Sequence, residues 1–270
     1  RRHHPAAGRR ELTGHHHSRV IPMCAMNPRL LRPLASGFNP KSLGGLSGWW
    51  DASDSATLTL NSGNVSEWRD KSGEDHHILQ ASAAVQPPYE STAFNGKPAV
   101  TVEASSNQIL RSASGVLADS VVDNVNMKGC LFVVAKSPSA TVNSKTLLAL
   151  GNANDFGFYL RLSDGNAYFD CASGGRVLAA IADTVLTGGG IWYGGRDAAN
   201  VEMAVNGSVI ASRSNATGDI TVATAAGFGV SSGNSEISYA EILVFRRALA
   251  TKERNAVEAY LSKKWGVTLA

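Results

Sequence analysis

The sequence is poor in cysteine, in charged residues and in long apolar runs, and these shortages exclude whole classes of protein. Only three cysteines occur in 270 residues, too few for a secreted scaffold held together by disulfides. No apolar run reaches the roughly 18 residues that a membrane-spanning helix needs, and residues 1–25 lack the apolar segment of a signal peptide. We therefore expect neither a disulfide framework nor a membrane span, and no signal peptide.

Two of the three cysteines lie in strand-like runs. Cys130 begins the apolar stretch 130–135, where a small buried thiol is the ordinary interpretation. Cys171 ends another run of the same kind, and Cys24 lies near the N-terminus. A Cys130–Cys171 bridge remains the alternative to two buried thiols.

Patterns typical of hydrolases on sandwich folds are also missing. A retaining glucanase needs two carboxyl groups about 5 Å apart, typically supplied by one strand as Glu-x-Asp-x-Glu. No Glu of this chain is followed two positions later by Asp. Glu236 and Glu241 are five positions apart and would face opposite sides of a regular strand. We therefore expect a protein that is not an enzyme.

Charge is unevenly distributed, and this argues against a nucleic-acid partner. Residues 1–35 carry seven Arg and one Glu, whereas the remaining chain has 18 basic and 21 acidic residues. The globular part is thus mildly acidic, and nucleic-acid binding would depend on the tail alone. We expect a basic, disordered tail or arm over 1–43 and one globular domain over 44–270.

The start of the natural chain is a separate question. Met26, or alternatively Met23, resembles a natural start, with upstream sequence read in frame before it. The short basic and apolar segment 27–33 is typical of an arm that becomes ordered only on a partner.

From Leu46 onward, short runs of β-branched and aromatic residues alternate with turn residues, which predicts two packed antiparallel sheets. Asn95-Gly96, Asp164-Gly165 and Asn206-Gly207 mark tight turns. The predicted strands are 46–50, 56–60, 64–69, 77–81, 98–103, 108–111, 129–136, 145–150, 156–162, 166–171, 176–181, 190–195, 200–205, 208–213, 226–230 and 236–245.

A single convincing helix is predicted from Thr251 to about Trp265, with Thr251 as its cap and Gly266 as its stop. Such a helix would dock on the flank of the sandwich. Its apolar stripe would comprise Val257, Tyr260, Leu261 and Trp265, leaving Lys252, Glu258, Ser262 and Lys263 largely outside.

Both ends of this region resemble a known family. The segments 46–54 (LSGWWDASD), 65–73 (VSEWRDKSG) and 94–100 (FNGKPAV) are similar to the opening of concanavalin A-like, laminin G-like domains. The segment 241–261, a strand followed by a helix, resembles their close. Such domains occur in phage structural proteins and bacterial surface proteins, and the resemblance implies a jelly-roll sandwich.

Alternation also suggests a ligand-binding surface. In the run 156–162 the apolar residues fall on every second position, so Tyr159 and Arg161 are expected to face outward. By the same alternation Tyr168 and Trp192 can lie on an outward face. An exposed aromatic ring beside a guanidinium group suits a saccharide, through stacking and hydrogen bonds. The alternative is that a neighbouring loop or subunit covers these side chains.

Metal sites are weighed against simpler interpretations, and we predict no metal ligand and no required cofactor. Asp51, Asp54 and Asp70 have the oxygen donors that Ca²⁺ prefers, but hydrogen bonding within loops explains them more simply. His76 and His77 are adjacent, so their side chains would point apart on a strand and not share an ion.

Two functional hypotheses follow. In the first, the chain is a lectin-like module that binds a glycan through outward aromatic residues. In the second, it is a structural protein such as a phage virion component, whose faces contact further copies of itself or neighbouring virion proteins. Either role places the protein at a virion or cell surface, or outside the cell. A glycoside hydrolase is the third and weakest interpretation.

Overall fold

The chain folds into two antiparallel β-sheets flanked by one long C-terminal helix, as the sequence predicted. A computed structural model describes residues 37–103, 107–112, 126, 128–137, 146–150, 156–159, 164–171, 174–218, 229–231 and 236–270. Within these residues no helix is long and apolar enough to cross a membrane.

The first sheet carries the C-terminal helix. Among the described residues it has the strand order β15-β14-β13-β8-β17-β6-β5, and β1 pairs with the second half of β17. Its strands are β1 (Leu46–Asp51), β5 (Tyr89–Phe94), β6 (Lys97–Val102), β8 (Lys128–Lys136), β13 (Gly190–Asp197), β14 (Asn200–Val205), β15 (Ser208–Arg213) and β17 (Ile237–Phe245).

The second sheet packs against the first sheet. Its described strands follow the order β12-β11-β10-β9-β16-β7-β4-β3-β2. They are β2 (Leu58–Asn61), β3 (Asn64–Trp68), β4 (Ile78–Leu79), β7 (Ile109–Ser112), β9 (Thr146–Leu150), β10 (Phe156–Tyr159), β11 (Asn166–Cys171), β12 (Val177–Ala180) and β16 (Gly229–Ser231).

The central strands of the first sheet, β8 and β17, are buried on both faces. On β8, Leu131 and Val133 point into the core between the two sheets, whereas Phe132 and Val134 point into a second core beneath the C-terminal helix. Alternate residues of a strand point to opposite faces, so a strand covered on both sides is mostly apolar. This explains why β8 and β17 are predominantly apolar, and why the polar exceptions on β17, Ser238 and Glu241, are buried with hydrogen-bond partners.

The sheets approach closely at Gly194 on β13. A Cβ atom at this position would lie 2.4 Å from ring carbons of Phe169 on β11. The Phe169 ring fills the space that a side chain on Gly194 would need, and Phe156 and Phe158 surround it with ring centroids 5.2 and 5.0 Å away. The core between the sheets therefore depends on a glycine facing an aromatic cluster.

Among the described residues, two α-helices lie outside the sheets, α1 (Asp183–Gly188) and α2 (Thr251–Trp265). The N-cap of α2 is Ala250 and not Thr251, because Glu253 accepts a hydrogen bond from the backbone N–H of Ala250 at 2.9 Å. Arg247 binds the same carboxylate at 2.7 Å, and this hydrogen bond lowers the pKa of Glu253 to about 2. Gly266 ends the helix with a φ of 68°, as predicted.

The predicted stripe of α2 is correct except at Glu258. Val257, Leu261 and Trp265 are buried against the first sheet. Glu258, expected outside, is only 2% exposed and faces Arg254 at 3.7 Å. Burial raises the pKa of Glu258. A carboxylate one helical turn after an arginine can be buried when the arginine side chain is largely buried beside it.

A buried ionic network joins α2 to β17. Glu241 is fully buried and accepts hydrogen bonds from the Trp49 indole at 2.7 Å and the Trp265 indole at 2.6 Å. The Tyr260 hydroxyl donates to it at 2.8 Å, and the Lys264 ammonium group lies 2.7 Å away. Burial raises the pKa of Glu241, against the opposing effect of Lys264. The carboxylate thus ties the helix, β1 and β17 together.

Packing begins before residue 44, the predicted start of the globular domain. Phe38 contacts Tyr260 of α2 with ring centroids 5.7 Å apart, and Leu43 packs beside the same core. These two apolar side chains therefore pack with the helix-covered layer. Residues 1–36 lie outside the described part of the chain.

The two cysteines in the sandwich are free and buried. Cys130 lies in the core beneath α2, and Cys171 lies in the core between the sheets. The first sheet separates the two thiols, so the alternative of a Cys130–Cys171 disulfide is wrong. Burial raises the pKa of Cys130, and it raises that of Cys171 to about 12.

Candidate functional site

The structure brings two of the predicted ligand-binding residues together. Tyr159 on β10 lies directly opposite Tyr168 on β11. Their neighbours Phe158 and Phe169 point into the core between the sheets, so both tyrosines lie on the outer face of the second sheet. Tyr159 is half-buried, whereas Tyr168 is only 8% exposed. Arg161, the third predicted residue, falls outside the described residues.

An arginine covers the ring of Tyr168. The guanidinium carbon of Arg176 lies 5.0 Å from the ring centroid. Asp170 holds that guanidinium group through contacts of 2.5 and 2.7 Å. The Tyr168 hydroxyl donates to Asp164, and this hydrogen bond raises the pKa of the phenol. The arginine therefore already occupies the ring face on which a sugar was expected to stack.

The expectation that Trp192 faces outward is wrong. Its side chain is fully buried in the core between the sheets, whereas Ile191 and Tyr193 point toward α2. Alternation correctly separated Trp192 from its two neighbours. Alternation could not show that Ile191 and Tyr193 are buried beneath α2. Trp192 therefore packs in the core between the sheets.

The candidate metal ligands are engaged by protein donors. Asp70 accepts the backbone N–H groups of Trp49 and Ser72, both at 2.8 Å. Asp51 contacts the ammonium groups of Lys71 and Lys264, each at 2.8 Å. Loop hydrogen bonding is therefore the role of Asp70, as the simpler interpretation predicted, whereas Asp51 takes part in an ion-pair network.

The two adjacent histidines make separate contacts. The His76 ring lies 2.5 Å from the carbonyl oxygen of Ser47, and the His77 ring accepts the backbone N–H of Asp70 at 3.2 Å. The two rings therefore have different partners within the protein.

One sequence pattern also has a structural explanation. The segment 229–233 reads Gly-Val-Ser-Ser-Gly, which matches the spacing of a hydrolase nucleophile elbow. Such an elbow requires a sharp turn between a strand and a helix. Residues 229–231 instead form β16, where Gly229 pairs with Arg111 on β7. The described part of this segment is an ordinary strand.

A polar cleft lies at one end of β13, β14 and β15, and the sequence prediction missed it. Its volume is about 710 Å³. The three strand ends position its walls, and the loop before α2 closes one side through Ala248 and Leu249. The polar residues that define this end-of-strand cleft are Arg196, Asp197, Asn200, Glu202, Ser212, Arg213, Ser214 and Asn215.

The walls of the end-of-strand cleft offer hydroxyl, amide and guanidinium groups. Ser212, Arg213 and Asn215 are exposed, whereas Arg196 is only 3% exposed. Tyr193 contributes a buried aromatic side chain to the lining. Of the residues in the cleft, only the two arginines could have been noticed in the sequence, because Arg196 interrupts an uncharged run and Arg213 ends a predicted strand. A cleft with such walls can hydrogen-bond a polar, sugar-sized ligand.

No family model and no curated protein matches the chain. Several solved structures are similar, at 9–14% identity. The Trypanosoma rangeli sialidase in complex with sialic acid has a TM-score of 0.52 and 12% identity, with 82% of this chain and 33% of that chain covered.

Two toxin domains are also similar. The binding domain of Botulinum Neurotoxin DC in complex with SialylT has a TM-score of 0.55 and 9% identity, over 81% of this chain and 52% of that chain. The binding domain of Paraclostridial Mosquitocidal Protein 1 has a TM-score of 0.55 and 13% identity, over 83% of this chain and 53% of that one. This chain spans a third to about a half of these structures. At such identities the likeness establishes the class of fold alone, a β-sandwich.

Proposed function

We propose that the chain is a non-catalytic, lectin-like module of the concanavalin A-like, laminin G-like kind that binds a glycan in the end-of-strand cleft. The cleft itself carries the proposal. Its volume of about 710 Å³ lies within the range of about 300–1,000 Å³ typical of ligand sites. Its exposed serine and asparagine side chains provide the donors and acceptors that sugar hydroxyl groups require.

The engagement of the carboxylates in the cleft favours binding over hydrolysis. Asp197 lies 3.0 Å from Lys128, and Glu202 binds Arg254. Glycoside hydrolysis by the usual route uses a pair of carboxyl groups flanking the scissile bond, one of them acting as an acid. Here both acidic groups are committed to cations.

The structural neighbours agree with this proposal. Two of the similar structures are titled as binding domains, and their sandwich folds match over most of this chain. One is a complex with SialylT, and the sialidase holds sialic acid. A glycan is therefore the ligand class to test first, at the surface of a cell or virion.

A glycan array probed with the full chain tests the proposal. The substitution Ser212→Trp places a bulky ring in the cleft without disturbing a buried site. The matched control is Ser208→Trp, since Ser208 is exposed on the same strand but does not line the cleft. We expect specific glycan signals to fall at least tenfold with Ser212→Trp and to persist with Ser208→Trp.

Two other results would contradict glycan binding in the end-of-strand cleft. If Tyr159→Ala alone abolishes the signals, the glycan binds on the outer face of the second sheet. A silent array, together with assembly that is lost when residues 27–35 are removed, would overturn the proposal and support the virion role.

A further inference from the structure

On the face of the first sheet that α2 covers, the end-of-strand cleft contains a row of three directly opposed residues. Gly195 on β13 is opposite Glu202 on β14, and Glu202 is opposite Ser212 on β15. Residues that are opposite one another on adjacent strands have side chains on the same face of the sheet. The chain neighbours of Glu202, Val201 and Met203, belong to the core between the sheets. The row therefore faces away from that core.

Tyr193 extends along the same face into the space that Gly195 leaves open. Its side chain belongs to the core beneath α2, and only 5% of the residue is exposed. A Cβ atom on Gly195 would lie 2.3 Å from the Tyr193 hydroxyl oxygen, so the hydroxyl group occupies the place of a side chain at that position. Both residues line the cleft. The missing side chain of Gly195 thus lets the phenol reach the cleft beside Glu202.

The Tyr193 hydroxyl group has no hydrogen-bond partner among the described residues. Its oxygen is not fully enclosed, in contrast to the unpaired indole nitrogens of Trp50, Trp68 and Trp192. Burial raises the pKa of Tyr193, and the charge of Glu202 adds to this rise, so the phenol stays protonated and can donate. Polar atoms in a protein interior normally have a partner, and a ligand in the cleft can supply the one that is missing.

Glu202 offers an acceptor next to this donor. Arg254 binds its Oε1 atom, whereas Oε2 accepts no hydrogen bond from the described residues. The Glu202 side chain is 39% exposed. The guanidinium carbon of Arg254 also lies 5.3 Å from the centroid of the Tyr193 ring. One arginine therefore holds both the phenol and the carboxylate, and leaves a hydroxyl group and a carboxylate oxygen for a ligand.

The charges on this face of the cleft disfavour an anionic ligand. Arg196 and Arg213 are both opposite Val201 and share its face, toward the core between the sheets. Glu202 and Asp197 instead share the face of Gly195 and Tyr193, and each already binds a cation from outside the lining. No described cation of the lining lies on that face, so an acidic sugar would meet carboxylates without a positive partner of its own.

We infer that the end-of-strand cleft binds an uncharged saccharide through two adjacent sugar hydroxyl groups, one accepting from the Tyr193 hydroxyl and the other donating to Glu202. This inference rests on the proposed glycan-binding function and specifies its ligand class. A hydroxyl group can both donate and accept, and Ser212, in the same row, can bind a further one. A site built to hydrogen-bond a hydroxyl group discriminates strongly, because its own polar groups are unpaired without it. Tyr193 is thus a specificity-determining residue.

Isothermal titration of the full chain with two matched pairs of sugars tests the inference. The pairs are glucose with glucuronic acid and galactose with galacturonic acid. We expect glucose or galactose to bind, and to bind about tenfold or more tightly than its own acid, because Glu202 repels the acid. Tyr193→Phe should weaken binding of that neutral sugar about tenfold, through loss of one hydrogen bond. Thermal unfolding of this variant should be unchanged, since the hydroxyl has no described partner in the protein.

Tyr89→Phe is the matched control, because the Tyr89 hydroxyl donates to the carbonyl oxygen of Ala52 at 3.2 Å and lies outside the cleft lining. It should leave sugar binding unchanged. A lower unfolding temperature of Tyr193→Phe would mean that the hydroxyl already has a partner within the protein, which contradicts the inference.

The remaining outcomes separate this inference from the glycan proposal. If Tyr193→Phe binds the neutral sugar as tightly as the unsubstituted chain, or if an acid binds as tightly as its neutral counterpart, the inference is wrong and the glycan proposal stands. The same conclusion follows if the array gives signals that Ser212→Trp removes while neither neutral sugar binds. If the array is silent and no sugar binds, both proposals are wrong.

Discussion

At the scale of single residues, Glu241 shows how one buried charge can organise two layers. Its carboxylate is fully buried, yet three aromatic donors and Lys264 surround it. Such a charge need not add stability overall, because desolvation offsets much of the attraction. It does fix the position of α2, since its partners on the helix can satisfy it only in one placement.

We predict that Glu241→Gln lowers the free energy of unfolding by about 3 kcal/mol, because a single amide oxygen cannot accept hydrogen bonds from the Trp49 and Trp265 indoles and from Lys264 at a buried site. Urea unfolding monitored by tryptophan fluorescence measures the change. The control Glu67→Gln removes a partly exposed pair with Arg69 at 3.0 Å, and should cost about 1 kcal/mol or less. Equal losses in the two variants would show that the network holds nothing in place.

The residue scale is also where sequence prediction fails most clearly. Alternation placed Trp192 apart from Ile191 and Tyr193, and the structure agrees. Alternation says which side chains share a face, but not which face is covered. That information depends on where α2 docks, a tertiary contact that no local pattern in β13 contains.

At the scale of elements, the predicted strands are largely those observed. The exception is β5, which was missed because its residues 90–92 are polar and exposed. It is an edge strand that buries only one end, at Phe94. Short apolar runs identify strands that cover a core, so a polar edge strand gives too little signal.

The end-of-strand cleft could not be predicted because a β-bulge sets its register. From the Asn206-Gly207 turn, regular pairing of β14 and β15 would place Ser212 opposite Val201. A register shift between Met203 and Ala204 instead brings Arg213 opposite Val201. One extra residue moves every following side chain to the other face, and no sequence motif in this stretch predicts the bulge.

The contact between the sheets gives an element-scale prediction. Gly194→Ala would place a methyl group against the ring of Phe169, and we expect it to destabilise the protein by about 1–3 kcal/mol through overpacking. Gly44→Ala is the control, because nothing lies within 4 Å of its added Cβ. Thermal unfolding of both variants measures the difference. A Gly194→Ala protein as stable as the control would mean that the sheets can separate freely at this point.

At the scale of the whole molecule, the first sheet divides the interior into two cores. Cys130 lies in one core and Cys171 in the other, and both thiols are buried. Each is thus shielded by a different layer, α2 in the first case and the second sheet in the second. Access to each thiol therefore reports on the integrity of one layer.

We predict that neither thiol reacts with Ellman's reagent in the native protein, because burial raises the pKa of both and the reactive species is the thiolate. A Cys24→Ser variant leaves only these two cysteines to count. Both should react fully in denaturant. Rapid reaction of one thiol in native buffer would show that the layer above it opens.

The pairing of β1 with β17 has a consequence for biosynthesis. The hydrogen bond from Trp49 to Glu241 joins residues 192 positions apart. A ribosome adding about 5–20 residues per second needs roughly 10–40 s to make the intervening chain. Throughout that time the emerging β1 has no strand beside it, and Trp49 has no helix to cover it. We therefore expect nascent chains to depend on chaperones until the last strand has left the exit tunnel.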